Sequence, residues 1–450
     1  MIINSITTVD LQKDKQRFDA AYHLSSAVSI RRMLLRQKIY PVLSVSDVTS
    51  RIFYGTRASR TYVSCQEHAI PFLTGASILL GNFDNTKLIS KKYAPAVDEM
   101  SLHEGWVLIT RSGTVGQVAW ANNMFEGKYG SEDIIRVIPN GRIKGGVLYA
   151  YLASKYGNSL LTQGAFGAVI QHIEPDFVGA ICLPEFSMAL QDEIEELVTE
   201  SSRMRGIADE KRRQAIDLFQ SYLSSDNGQA VNIINSKQLF VYHNRLDAQY
   251  QSEVKLRKGD NIGLQSNTIH FYAKKIYVGN RGKRYYVPEG LPFLSSSDMM
   301  LFNPTKWCSQ ISLKTPSLGS LKVEVKDILI SRSGTVGNCI FVSEGMKDVT
   351  VSEHALRLRI DESKIAPEYV FAYLNTSQGQ RKIKNSAYGS VIITLGEDFI
   401  GEMDLPILPE QVRDKIVRLV DEFASFNDVA NEKDSQALSI IEREMSNLIQ

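Results

Sequence analysis

The chain carries nearly the same stretch of sequence twice. "VLITRSGTVGQVAWA" begins at Val107 and "ILISRSGTVGNCIFV" begins at Ile328. The likeness continues outward in unbroken order at an offset of about 220 residues. The other matched pairs are "RFDAAY" with "RLDAQY", "IFYGTRASRTYV" with "IYVGNRGKRYYV", "PFLTGAS" with "PFLSSSD", "SED" with "SEH", "AFGAVIQHIEPDFVGAICLP" with "AYGSVIITLGEDFIGEMDLP", and "ADEK" with "ANEK". We therefore predict a direct tandem duplication, in which each repeat is long enough to form a domain.

Each repeat begins with a β-rich part. In "DILISRSGTVGNCIFV" a polar, glycine-containing turn separates two apolar runs, which is typical of a hairpin. The segments "VYHNRL", "KKIYVG" and "LKVEV" are also predicted to be short strands. Helical periodicity follows in "VLYAYLASKYGNSLL" and in "YVFAYLNTSQGQRKI", each predicted to be one helix on the sheet. These patterns predict an α+β fold.

Each repeat ends with a long amphipathic helix. Apolar residues recur every three or four positions from Ile194 to Tyr222 and from Ile416 to Leu448, and a proline precedes each run. A helix of about 35 residues is roughly 50 Å long, more than one small sheet needs. We predict that the two helices pack as an antiparallel coiled coil with pseudo-two-fold symmetry; the alternative is that each packs on its own domain. The predicted boundaries are 1–188 and 226–408 for the β-rich domains and 189–225 and 409–450 for the spacer helices.

Charge is unevenly distributed along the 450 residues. The formal net charge is +1, but residues 190–224 carry −3 and residues 410–450 carry −4, which leaves +8 for the remainder. A polyanion would therefore meet the basic part of the chain. Two matched readers at a fixed separation also suit duplex DNA, which has local two-fold symmetry.

Sequence signatures of catalysis are not evident. There is no GxxxxGK[ST] loop, no GxGxxG site, no Asn-Pro-Pro-aromatic motif and no HExxH or similar metal spacing. We find no signal peptide and no apolar run that could span a bilayer. The four cysteines lack metal-ligand spacing, which favours free thiols in a cytoplasmic protein. Glu324 and Lys326 form a Glu-x-Lys triplet, so a duplicated nuclease remains an alternative, as does an RNA-binding or scaffold module.

Polar and cationic residues in glycine-punctuated loops are the candidate nucleic-acid contacts. Arginine can bind guanine or clamp a phosphate, and hydroxyl groups usually contact phosphate. For Arg111 and Arg332, which are identical in the copies, a structural role and a DNA-backbone contact both remain open; base reading is better sought where the copies diverge. The residues predicted to contact DNA are Arg57, Arg60, Tyr62, Lys87, Lys91, Lys92, Arg111, Ser112 and Thr114 in the first repeat, and Arg281, Lys283, Arg284, Tyr286, Lys306, Arg332, Ser333 and Thr335 in the second.

The sequence resembles the specificity (S) subunits of Type I restriction–modification systems. The duplicated "ILISRSGTVG", the "DFIGEMDLPILPEQ" entry to a long helix and the half-length repeat carry this resemblance, although "LPILPEQ" is replaced by "LPEFSMALQ" in the first copy.

The resemblance implies two target recognition domains, each reading one half of a bipartite, asymmetric site in double-stranded DNA. It implies that the helices set the gap and dock methyltransferase subunits, two copies being expected, which bind S-adenosylmethionine. A restriction subunit using ATP and Mg²⁺ would join them. The chain itself would be a non-catalytic subunit without a cofactor or metal. A related methylation-based phage defence system is the alternative.

Overall fold

The computed structural model describes residues 20–57, 59–64, 66–93, 98–165, 171–223, 245, 247, 250–251, 264–389 and 393–448. The chain divides into two compact units, one comprising Met1–Gly206 with Val429–Gln450 and the other Ile207–Asp428. Both combine helices with β-sheets, and a long helix ends the chain, so the predicted α+β class is confirmed. The predicted boundary at 225–226 and the predicted strand "VYHNRL", except for Arg245, lie outside the described residues.

The described part of unit 1 opens with two helices, which are followed by a run of short strands. The helices are α1 (Ala20–His23) and α2 (Ser26–Arg36). The strands are β1 (Val42–Ser44), β2 (Thr49–Tyr54), β3 (Tyr62–Val63), β4 (Ala69–Leu73), β5 (Lys87–Ser90), β6 (Val107–Thr110), β7 (Val118–Trp120), β8 (Tyr129–Gly130), β9 (Ile134–Pro139) and β10 (Cys182–Pro184). Between β9 and β10 lie α3 (Gly145–Ala153), α4 (Lys155–Gln163) and α5 (Pro175–Gly179), and α6 (Met188–Gln220) follows β10.

The main sheet of unit 1 is antiparallel, with the strand order β2-β9-β6-β7. A smaller sheet has the order β3-β5-β4-β8, and β1 pairs with β10. Strand β6 is buried along its whole length, and its apolar side chains share a core with α3 and with the part of α6 around Ile194. This packing fixes the end of β6, where the candidate loop begins.

The described residues from 264 onward contain the following elements, of which α11 continues into unit 1. The strands are β11 (Gln265–Thr268), β12 (Ala273–Val278), β13 (Tyr286–Leu294), β14 (Ser309–Ile311), β15 (Ile328–Ser331), β16 (Cys339–Phe341), β17 (Thr350–Val351), β18 (Ala355–Ile360) and β19 (Asp404–Ile407). The helices are α7 (Ile269–Tyr272), α8 (Pro367–Asn375), α9 (Ser377–Ser386), α10 (Glu397–Gly401) and α11 (Glu410–Asn447).

The main sheet of unit 2 has the order β12-β18-β15-β16, also antiparallel. A second sheet has the order β14-β13-β17, and β11 pairs with β19. The order of the main sheet matches that of unit 1 strand for strand, whereas the second sheet has three strands here and four in unit 1. The predicted hairpins are present in both units, as β6-β7 and β15-β16. The predicted strand at "LKVEV" was wrong, because only Lys322 forms an isolated bridge there.

The helices predicted as single elements on each sheet are broken in two. Ser154 and Thr376 adopt extended backbone conformations, and their hydroxyl groups accept hydrogen bonds from the amides of Gly157 and Gly379. Each residue thereby caps the start of a new helix, because a side-chain acceptor satisfies an amide that has no partner in the first turn. The uninterrupted apolar pattern hid this capping motif.

The break makes the following glycine indispensable. A Cβ atom on Gly379 would lie 2.2 Å from the carbonyl oxygen of Tyr373, which is backbone and cannot move aside. We therefore expect Gly379→Ala to lower the free energy of unfolding by about 1–3 kcal/mol, measured by denaturant titration. Gly319→Ala is the control, since nothing lies within 4 Å of the added atom. Equal stability of the two variants would contradict this account of the break.

Both long helices contribute to the core of each unit. In unit 1, Val198 of α6 belongs to the same core as Ile441 of α11, and Ser201 Oγ donates a hydrogen bond of 2.8 Å to the carbonyl of Ala430. In unit 2, Phe219 of α6 and Val420 of α11 are buried in one core. There Lys211 Nζ lies 2.6 Å from Glu422 Oε2. Each unit thus contains one part of α6 and one part of α11.

Candidate nucleic-acid interface

The duplicated "RSGTVG" segment forms the same tight loop after β6 and after β15. Gly113 and Gly334 both have φ of 77°, a left-handed conformation that favours glycine. The last strand residue closes each loop. Thr110 Oγ1 donates to the carbonyl of Thr114 at 2.5 Å, and Ser331 Oγ donates to that of Thr335 at 2.6 Å. The hydroxyl groups of Thr114 and Thr335 lie on exposed residues at the tips of these loops.

Each loop is tied to the strand beside it through the backbone. The Arg111 amide donates to the carbonyl of Asp133 at 2.8 Å, and the Arg332 amide donates to that of His354 at 3.0 Å. The serine that follows each arginine makes a side-chain bond to the same residue. Ser112 Oγ bonds to Asp133 Oδ1, and Ser333 Oγ lies 2.7 Å from His354 Nδ1.

In unit 1, Glu132 gathers two of the predicted arginines. Arg60 is ion-paired with one oxygen of this carboxylate, and its guanidinium carbon lies 4.6 Å from the ring centroid of Phe72. Arg57 Nε lies 3.4 Å from the other oxygen, yet the side chain of Arg57 remains 88% exposed. Glu132 therefore holds Arg60 in place and leaves Arg57 accessible to a ligand.

Glu353 organises unit 2 in the same way. Arg284 Nη2 lies 3.4 Å from Glu353 Oε2, and its guanidinium carbon is 5.6 Å from the ring centroid of Phe293. Arg284 is only 9% exposed and also donates to the carbonyls of Asn280 and Gly282. Arg281 Nε lies 3.6 Å from Glu353 Oε1, and this side chain is 80% exposed. Both units thus pair one anchored arginine with one exposed arginine.

Arg111 is engaged by its own unit. Its Nη2 lies 2.5 Å from Glu174 Oε1, and its guanidinium carbon lies 4.1 Å above the ring centroid of Tyr54. Arg332 holds its place in the loop through both backbone groups, since its carbonyl also accepts from the Leu395 amide at 2.9 Å. The structural role that the sequence left open for Arg111 therefore has specific contacts, and a contact with DNA remains a prediction.

The predicted lysines of the diverging segments lie beside aromatic rings or a backbone carbonyl of their own unit. In unit 1, Lys87 Nζ is 5.2 Å from the ring centroid of the exposed Tyr62, Lys91 Nζ donates to the carbonyl of Glu67, and Lys92 Nζ is 5.4 Å from the ring of Tyr93. In unit 2, Lys283 Nζ is 5.5 Å from the ring of Tyr285, Lys306 Nζ is 5.3 Å from that of Trp307, and Tyr286 is exposed. Aromatic rings are therefore present beside cations in both units.

In each unit a buried arginine donates hydrogen bonds to backbone carbonyls close to the organising glutamate. Arg136 donates to the carbonyls of Gly130 and Ile134 at 2.6 and 2.7 Å. Arg357 donates to the carbonyl of Val351 at 2.5 Å. Burial lowers the pKa of Arg136 to about 10, so it stays protonated at neutral pH. Each arginine thereby fixes the turn that places Glu132 or Glu353.

The structure brings together part of the predicted set. Arg57, Arg60, Arg111 and Ser112 all contact residues 132–133 directly. The organising glutamates were missed from the sequence. The matched "SED" and "SEH" were the available signal, because they place a glutamate at the same position in both copies.

The two residues of the Glu-x-Lys triplet, on which the nuclease alternative was based, both form ion pairs. Glu324 Oε1 lies 2.5 Å from Arg359 Nη1, and Lys326 Nζ lies 2.9 Å from the buried Glu368. In the described part of the chain, no group of three or more metal-ligating side chains is assembled. Among the same residues no helix has both the length and the apolar character needed to cross a membrane.

Comparison with known proteins gives structural matches alone. No family model and no curated protein matches the sequence. A Type I restriction–modification S subunit from M. genitalium matches 92% of this chain and 96% of its own, with 12% identity and a TM-score of 0.36. The HsdS subunit from Thermoanaerobacter tengcongensis matches 90% and 96%, with 13% identity and a TM-score of 0.29.

A third match is a chain from a structure of the type I R-M system described in terms of complex assembly and conformational transition. It covers 92% of this chain and 98% of its own, with 12% identity and a TM-score of 0.28. The chain resembles Type I specificity subunits. All three TM-scores are below 0.5.

Proposed function

We propose that the chain is a sequence-specific DNA-binding specificity subunit that reads a bipartite, asymmetric site. The observation that carries this proposal is the matched centre in each unit: an exposed arginine, an anchored arginine and a glutamate that holds both. Exposed guanidinium groups suit phosphate oxygens or guanine edges. The residues around each centre differ, which suits two readers of different sequences.

The tandem repeat assigns one reader to each repeat. In this proposal residues 1–188 and 226–408 form the target recognition domains. Residues 189–225 and 409–450 form the helices that space them. Unit 1 contains the first part of α6 and the last part of α11, whereas unit 2 contains the opposite parts. This exchange supports an antiparallel coiled coil with pseudo-two-fold symmetry, which would set the length of the unread gap.

The helices also supply a docking surface. A groove of about 1110 Å³ between α6 and α11 in unit 1 is lined by six carboxylates and three cationic side chains. The carboxylates are Asp192, Glu193, Glu195, Glu196, Glu200 and Glu432. An acidic groove repels DNA and fits a basic protein surface. We assign it to the methyltransferase subunits, two copies of which are expected.

Chemistry in this proposal belongs to the partners. The methyltransferase subunits would bind S-adenosylmethionine, and a restriction subunit, if present, would bind ATP and Mg²⁺. The chain itself would act in the cytoplasm as a non-catalytic subunit that selects the DNA to be modified. The same role fits a related methylation-based phage defence system.

Single-molecule sequencing of host DNA, with and without the gene, tests this function. We expect modified bases at a two-part motif to disappear when the gene is deleted and to return when it is restored. An unchanged modification pattern would contradict the proposal.

The exposed arginines give a second test. We expect the double variant Arg57→Ala with Arg281→Ala to reduce the slope of log affinity against log salt concentration by about 2, because each arginine releases about one counterion from the DNA. The measurement is a salt titration of duplex binding by the assembled complex. Arg142→Ala, at an exposed arginine beyond the end of β9 that lies away from Glu132, is the control and should leave the slope unchanged. A wild-type slope in the double variant would show that these arginines do not touch phosphate.

A further inference from the structure

One position differs in chemistry although the same two loop residues hold it in both units. It is the residue after the organising glutamate: Asp133 in unit 1 and His354 in unit 2. Both accept a backbone hydrogen bond from the loop arginine, and both bond through their side chains to the loop serine. The loop arginine and the loop serine thus make the same contacts in both units, whereas the end group changes from a carboxylate to an imidazole.

The position adjoins the candidate DNA-contacting arginines. Glu132 and Glu353, the preceding residues, hold Arg57 and Arg281 at the exposed side of each unit. Asp133 is half-buried, and the side chain of His354 is 45% exposed, so both can be reached by a ligand held by these arginines. A phosphate contact by the arginine would fix the register in which a base edge meets the neighbouring side chain.

The hydrogen bonds within each unit determine what each end group still offers. An ionised Asp133 can only accept, and Ser112 uses one of its two oxygens. When His354 Nδ1 accepts from the Ser333 hydroxyl, Nε2 carries the proton and is a donor. Nε2 lies 4.0 Å from Glu353 Oε1, which is too far for a hydrogen bond.

Resting on the proposed function, we propose that Asp133 and His354 are equivalent base-reading residues of opposite hydrogen-bonding character. Asp133 accepts a hydrogen bond from the N4 amino group of a cytosine in the half-site read by unit 1. His354 donates from Nε2 to the N7 or O6 atom of a guanine in the half-site read by unit 2. Carboxylates suit the cytosine amino group, and donors suit the guanine edge. The arginines of each matched centre would position the DNA backbone, whereas Asp133 or His354 would specify a base.

Reciprocal substitutions in the complete complex test the assignment. The gene is replaced in its host by variants carrying Asp133→His or His354→Asp, and the modified motif is mapped by single-molecule sequencing. We expect each variant to change one base pair in its own half-site and to leave the other half-site unchanged. The untouched half-site is an internal control, and Asp98→Asn, at an exposed residue of unit 1, controls for loss of a carboxylate.

Two milder variants keep the test decisive if the exchanges impair folding. Asp133→Asn retains the side-chain volume and should reduce discrimination at one base pair by about ten- to a hundredfold, measured by competition between duplexes that differ at that pair. Asp98→Asn removes an exposed carboxylate elsewhere in unit 1 and should leave the recognised sequence unchanged. If Asp98→Asn reproduces the effect of Asp133→Asn, or if neither exchange nor Asp133→Asn alters selectivity, the assignment is overturned.

Failure of the proposed function has a different signature. If deleting the wild-type gene leaves the modification pattern unchanged, the chain does not select the DNA that is modified. If deletion abolishes the pattern and the variants restore it with the original sequence, the function stands and the base-reading role of residues 133 and 354 is wrong.

Discussion

Replacing residues 41–185 with the corresponding segment of a homologous chain is expected to change one half of the recognised site completely and to preserve the other. The two ends of this segment are adjacent, since β1 pairs with β10 and the Glu185 amide donates to the carbonyl of Pro41 at 2.8 Å. A graft at these points joins neighbouring backbone positions without disturbing α6. Mapping of the modified motif measures the outcome.

The reciprocal exchange is the matched control. Residues 264–408 of unit 2 are closed by β11 and β19, with Gln265 paired to Ile407. Their replacement should change only the second half-site. If either graft alters both halves while the protein remains folded, the readers are not independent, and the assignment of one reader to each repeat is wrong.

The second large effect concerns the unread gap. Insertion of seven residues after Gly206 in α6, combined with seven before Val429 in α11, should lengthen the gap by about three base pairs. Seven helical residues add roughly 10 Å, and base pairs are stacked about 3.4 Å apart. The two insertion points coincide with the limits of the units, so the cores of both units are left intact. The recognised half-sites themselves should not change.

The number of inserted residues provides the control. Seven residues return the apolar stripe of a helix nearly to its original face, whereas five turn it by about 140°. Paired insertions of five residues should therefore abolish modification or lower stability. A gap of unchanged length in the seven-residue variant would show that the helices do not set the spacing.

The sequence predicted the elements that depend on local pattern. The hairpins around "RSGTVG" and the helices beginning near Met188 and Glu410 were predicted because their apolar residues follow the strand or helix period. The helix breaks at Ser154 and Thr376 were not, because a hydrogen-bonding cap and a close contact at glycine interrupt an otherwise continuous apolar pattern.

The sequence analysis selected the arginines of the candidate site, but it missed the glutamates that hold them. Arg57 and Arg281 were selected because they recur in both copies among glycines and tyrosines. Glu132 and Glu353 were missed because their partners lie about 70 residues earlier in the chain and meet them only in the folded unit. Charge and spacing alone could not show which arginine of each pair is held and which is exposed.

The central claim is that one chain reads DNA at two separated places. Affinity of the assembled complex for a series of duplexes, with each base pair of the modified site substituted in turn, tests it most directly. Our account predicts two clusters of sensitive positions, separated by a gap of fixed length in which every substitution is tolerated. Each mismatch in a cluster should cost about 1–3 kcal/mol. A single continuous cluster, or equal affinity for all duplexes, would contradict it.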